Sequence, residues 1–270
     1  MKTNVLLTAT VFAGSLLSAH AGTKDEVNNA IKKLTEKGNY SWTSTSKRPE
    51  RPAGDDSGRR GGPSTSNGKT ADGLVLTSRT FGDRKFETLR KGEKFAFKRE
   101  NEWTVPEPRA TGDAPASGQG QRRSRGFGRS SRSSAPAARA ADLLEKVGEL
   151  KKDGDFFSGP LTEEGAKSLL SFGGGRRGSG DNADRPAPKG VKASAKFWIK
   201  DGVLAKYETS VAGSISFNGN ERDLSSVTTV EIKDVGSTKI DVPDDIKKKL
   251  EPEKKPEAEK KPDSKKEPAK

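Results

Sequence analysis

The sequence gathers Arg122, Arg123, Arg125, Arg129 and Arg132 into one stretch, GQGQRRSRGFGRSSRSSAP, running from Gly118 to Pro136. Guanidinium groups spaced by Gly and Ser offer repeated point charges to a polyanion. The whole chain is basic, with 51 Lys and Arg against 38 Asp and Glu and a formal net charge of +13. Phe127 is the only aromatic residue in the stretch, and one ring does not make the stacking platform that holds single-stranded nucleic acid. A second stretch, Gly173-Gly174-Gly175-Arg176-Arg177-Gly178, satisfies the dinucleotide pattern G-x-G-x-x-G. It follows a helical pattern instead of joining a strand to a helix, so no cofactor is expected from it. Asp181 and Asp184 lack the alternation and the closing acidic ligand of a calcium loop, and no metal is expected there.

Targeting residues narrow the chemistry further. Lys2 is followed by an apolar run from Val5 to Leu17 and by the small-residue site Ala19-His20-Ala21. This reads as a secretory signal peptide cleaved after Ala21, and the run is shorter than the roughly 20 residues of a membrane-spanning helix. Cleavage removes His20, the only histidine, and the chain has no cysteine. Imidazole and thiolate zinc sites, Ser-His-Asp and Cys-His nucleophiles and disulfides are then all excluded. A non-enzymatic protein of the periplasm or the extracellular space is expected, without cofactor, specific nucleic-acid partner or transmembrane segment. Anionic polymers of the cell envelope are the partners its basic stretch would meet.

Composition divides the mature chain. Residues 47–66, 106–139 and 173–190 are poor in large apolar side chains, and residues 251–270 (EPEKKPEAEKKPDSKKEPAK) carry none larger than Ala. Such segments bury too little to offset the entropy of ordering them, about 1–2 kcal/mol per residue for the backbone. They read as disordered insertions and a Lys/Glu/Pro tail on a single domain spanning 22–250.

The rest is patterned. Thr23 and Glu26 make a capping-box pair ahead of Val27, Ala30, Ile31 and Leu34 at helical spacing, with Gly38 placed for a left-handed cap. Tyr40 and Trp42 then alternate with polar residues as in a strand. Residues 69–104 read as an antiparallel meander in which Phe95 and Phe97 share a face with Leu74, Leu76, Phe81 and Phe86. Helices are expected over Asp142–Lys152, with Leu143, Leu144, Val147 and Leu150 on one stripe, and from Thr162 to Gly173, with Ala166, Leu169 and Leu170. The last third carries hairpin turns at Asp201-Gly202 and Asn218-Gly219, a strand through Val227, Val230 and Ile232, a short strand TKIDVP, and a terminal helix Ile246–Leu250 capped by Asp244 and Asp245.

This order, with the helix followed by NYSWTSTS and the late run AKFWIKDGVLAKYE to VGSTKIDVP, resembles the periplasmic lipoprotein-carrier family (LolA and LolB type) and the related LppX and LprG type lipoproteins. The resemblance implies an α+β fold in which a curved antiparallel sheet forms an unclosed β-barrel, with helices plugging its mouth. It implies binding of a lipid or a lipoprotein acyl chain, or another apolar ligand, within the concave sheet. The side chains expected to wall that cavity are Tyr40, Trp42, Phe95, Phe97, Trp103, Phe197, Trp198 and Tyr207. The other reading of the residues is a structural or interaction protein of the envelope, in which Arg122, Arg123, Arg125, Arg129 and Arg132 contact anionic polymers and the sheet is a scaffold.

Overall fold

A computed structural model describes residues 19–48, 63–82, 84–99, 101–106, 135–173, 188–217 and 220–251. Helix α1 (Ala19–Lys37) leads into strand β1 (Tyr40–Lys47). Five strands follow: β2 (Ser64–Ala71), β3 (Leu74–Phe81), β4 (Arg84–Lys91), β5 (Lys94–Arg99) and β6 (Glu102–Thr104). Next come α2 (Pro136–Lys146), β7 (Lys151–Asp153), β8 (Phe156–Pro160) and α3 (Glu163–Gly173). Three long strands, β9 (Lys189–Lys200), β10 (Val203–Phe217) and β11 (Asn220–Lys233), precede helix α4 (Asp244–Lys249). All the strands belong to one 11-stranded antiparallel sheet ordered β6-β5-β4-β3-β2-β1-β11-β10-β9-β8-β7. The sheet is unclosed, with β6 and β7 as its edges. Among the described residues no helix is long and apolar enough to cross a membrane.

Local chemistry explains most of the turns. Asp201 and Gly202 both hold positive φ (53° and 70°), the two left-handed positions that a tight hairpin between right-twisted strands requires. Asp72 and Gly73 do the same (54° and 71°), separating β2 from β3 at the start of the meander. Residues 218 and 219 lie outside the described residues, yet Phe217 pairs directly with Asn220, as the Asn-Gly turn predicts. At the start of α3, Thr162 Oγ1 accepts a hydrogen bond from the Gly165 amide (3.2 Å), a side-chain cap.

Several boundaries differ from expectation. Helix α1 already includes Ala19, so Thr23 lies inside it and is no capping residue. Its hydroxyl instead donates to the Leu150 carbonyl (3.0 Å), while Glu26 faces Lys152 (3.6 Å). Helix α2 begins at Pro136 and ends at Lys146, not over Asp142–Lys152. Proline suits the first helical turn because its missing N–H has no partner there in any case. Ala137 and Ala140 then join Leu143 and Leu144 in the buried stripe, so the alanine-rich segment assigned to an insertion is core. Lys151 and Lys152 belong to β7, in a hairpin with β8 that the helical reading concealed. Lys47, Ser64–Ser66, Lys189 and Gly190 are strand residues at the edges of supposed insertions. TKIDVP forms no strand, and α4 starts at Asp244 with no side-chain cap.

The two faces of the sheet have different covers. On the helix face, α1 packs mainly on β10 and α3 on β9, with α2 against α1. Leu34, Phe197, Leu204 and Val230 are nearly inaccessible in this core. Burial of each such side chain contributes about 1.5–3 kcal/mol. On the opposite face, the chain after β11 crosses the first half of the sheet, and Val242, Ile246 and Leu250 pack on Leu74, Leu89 and Ala96.

Candidate functional site

Pairing register assigns every strand residue to a face, because directly opposed residues share one. One row on the helix face runs Phe86, Arg79, Ser66, Ser44, Val230, Tyr207, Phe197 and Phe157 across β4, β3, β2, β1, β11, β10, β9 and β8. The neighbouring row places Phe97, Thr88, Thr77, Gly68, Trp42 and Ile232 side by side. Small residues form the floor where β1 meets β2. At Gly68 the Trp42 indole lies so close that a β-carbon would overlap its Cζ2 and Cε2 atoms.

Six of the eight expected aromatic residues therefore share the helix face. Tyr40, Trp42, Phe197 and Tyr207 are buried under or beside the helices. Phe95 and Phe97 are half-buried, on a part of the face where the helices do not dominate. Phe86 joins them, while Leu74 and Leu76 point the other way, against expectation. The Phe81 side chain lies outside the described residues.

Trp103 and Trp198 are corrected to the opposite face. Trp198 follows Phe197 directly, and neighbours in a strand cannot point the same way. It stacks obliquely on Phe156 (5.3 Å, 41°), with Lys206 over its ring at 4.4 Å. Trp103 pairs with Lys98 and packs against the C-terminal core. There it lines an open groove of about 530 Å³ with Leu76, Glu87, Lys98, Asp241 and Lys247. This groove mixes charges of both signs, as in the Lys98–Glu87 (3.7 Å) and Lys247–Asp244 (3.4 Å) pairs, and contains none of the other expected wall residues. Arg122, Arg123, Arg125, Arg129 and Arg132 lie outside the described residues, as do Asp181, Asp184 and the Gly174–Gly178 part of the glycine pattern.

The polar chemistry of the helix face centres on the start of α2. The Ala137 amide donates to the Tyr40 hydroxyl (3.3 Å), tying the helix to β1. Burial raises the Tyr40 pKa, and the Ala137 hydrogen bond and nearby Thr70 offset part of that rise. Trp42 Nε1, Thr70 Oγ1 and Tyr207 Oη are buried without a hydrogen-bond partner of good geometry. Tyr207 has its pKa raised by burial, with the Arg139 guanidinium opposing and Tyr40 adding to the rise. Arg79 is an exposed residue, and partial loss of surrounding water and then the like charge of Arg139 lower its pKa. Sequence reasoning missed both arginines. Arg139 was counted inside an insertion, and Arg79 sits in an exposed-looking polar stretch, SRT.

Compared with known proteins, the chain matches no protein-family model, and no curated protein matches it in sequence.

Proposed function

We propose that this chain is a secreted, non-enzymatic binding protein of the periplasm or extracellular space that holds a lipid, a lipoprotein acyl chain or another apolar ligand. In this reading the unclosed sheet is a curved half-barrel of the lipoprotein-carrier kind, and its concave side is the helix face. One observation carries the reading: the helices seal the β8–β10 half of that face and leave Phe86, Phe95 and Phe97 half-buried on the other. Partly hydrated apolar surface beside a floor of Ser44, Ser66 and Gly68 is the arrangement that an apolar ligand would complete.

Trp42 provides the test, because Trp103 and Trp198 lie on the opposite face. In a Trp103→Phe, Trp198→Phe protein, 9,10-dibromostearate should quench Trp42 emission saturably, at about one equivalent. Emission unchanged at saturating brominated lipid would refute the proposal.

A further inference from the structure

We infer that the uncovered part of the opposite face, the outer surface of β7–β10, docks on an anionic lipid bilayer. Trp198 and Phe156 enter the interface, and the lysines around them meet headgroup phosphates. This surface lies across the sheet from the helix face and goes beyond the ligand-binding reading, because it concerns where the protein works and not what it holds.

The first argument is the apolar surface left without a cover. The C-terminal segment packs on Leu74, Leu89 and Ala96 of β3–β5, and the helices pack on the other face of β9 and β10. Among the described residues neither cover reaches the outer surface of β8–β10. Phe156, Trp198 and Lys206 are directly opposed there across three strands, and the Phe156 and Trp198 rings meet at 5.3 Å. Both rings are half-buried, so part of each reaches water. Val227, 36% exposed, lies on the same face opposite Ser210. Apolar side chains gathered on the wet face of a sheet and rimmed by charge mark an interaction surface.

The second argument is charge. Lys151, Lys192, Lys196, Lys200 and Lys206 share this surface with only Asp153 and Glu208. Lys196 stands over the Phe156 ring at 5.2 Å and Lys206 over the Trp198 ring at 4.4 Å. The carboxylates directly opposite these two lysines are engaged elsewhere. Glu208, opposite Lys196, accepts a hydrogen bond from Thr229 (3.1 Å), and Glu231, opposite Lys206, pairs with Lys233 (3.5 Å). Among the described residues Lys196 and Lys206 form no ion pair, so their charge is complementary to an anionic surface. An indole or phenyl ring with a lysine stem laid along it suits a bilayer interface, where the ring sits at headgroup level and the ammonium reaches a phosphate. The same geometry disfavours single-stranded nucleic acid, whose bases would stack on ring faces that Lys196 and Lys206 already cover.

Vesicle titrations of the full chain and of Trp198→Phe test the surface, the difference in emission between the two reporting Trp198. Vesicles of phosphatidylglycerol mixed with phosphatidylcholine brominated just below the headgroup should quench the wild-type chain saturably, and the Trp198-dependent part should vanish in the variant. Vesicles of phosphatidylcholine alone should bind weakly. In flotation, Lys196→Gln with Lys206→Gln should weaken binding roughly twentyfold, about fivefold for each lysine. Lys32→Gln with Lys37→Gln, at exposed positions of α1, should change it by less than about twofold. Equal quenching of wild type and Trp198→Phe, equal losses in the two lysine pairs, or no binding to anionic vesicles would each overturn the docking surface. A single-stranded oligonucleotide that binds more tightly than the vesicles and quenches Trp198 would assign the surface to nucleic acid and overturn it as well. The ligand-binding reading is read through Trp42 with dibromostearate and stands or falls separately.

Discussion

Replacing Tyr207 with Phe should stabilise the free protein. Tyr207 is 4% exposed, and its hydroxyl is buried without a partner. An unsatisfied buried hydroxyl costs about 1–3 kcal/mol relative to the hydrated group in the unfolded chain. Phenylalanine keeps the ring that packs between Phe197 and Val230, so the substitution removes the penalty without opening a cavity. For a domain of this size each kcal/mol moves Tm by about 2–4 °C, so a rise of about 2–12 °C is expected in calorimetry at neutral pH. The effect should change with pH. Burial, the dominant influence, holds the Tyr207 pKa above its unfolded value of 10.0, so the folded state keeps a proton that the unfolded chain has begun to lose. The associated stability is fully present below pH 10 and declines above it by about 1.4 kcal/mol per pH unit. Tyr207→Phe should flatten the alkaline loss by that slope, and the remainder would include Tyr40, whose pKa is raised in the same direction. A Tm lowered by the substitution would mean that the hydroxyl is hydrogen-bonded in the folded state, and an unchanged alkaline slope that it ionises as readily in the folded as in the unfolded chain; either would refute the reasoning.

Two further substitutions probe the floor and the cover. Gly68→Ala drives a β-carbon into the Trp42 ring and should cost about 1–3 kcal/mol in urea denaturation, most of it recovered in a Trp42→Leu background. Leu250→Ala should cost about 2–5 kcal/mol, because Leu250 is completely buried on the opposite face beneath the sheet, whereas Val235→Ala, at a 37% exposed position, should stay within about 0.5 kcal/mol. Equal effects of these last two would show that the C-terminal segment does not cover the sheet.

Periodic local chemistry was readable from the residues themselves. Alternation in Tyr40-Ser41-Trp42, the Asp201-Gly202 turn, the helix starting beside Thr162 and the left-handed Gly38 (φ 68°) each depend on neighbours a few positions apart, and each is present in the fold. Where local signals competed, reading failed. Val147 and Leu150 continued the helical stripe of α2, yet Val147 bridges to Leu161 and Leu150 accepts a hydrogen bond from Thr23, contacts made by distant parts of the chain. Alanines 137 and 140 looked too small to matter until α1 came close enough to need small neighbours.

The sequence by itself determined parity: that Phe197 and Trp198 must part, and that Phe95 and Phe97 must agree. Only the tertiary structure decided which parity faces which cover. Helices closed one face over β8–β10, and a segment more than a hundred residues downstream closed the other over Leu74 and Leu89. That choice also set the arginines of β3–β5 apart from the lysines. Strand alternation is a property of the backbone, but the burial of a face belongs to whatever packs on it, and the partners here are distant in sequence.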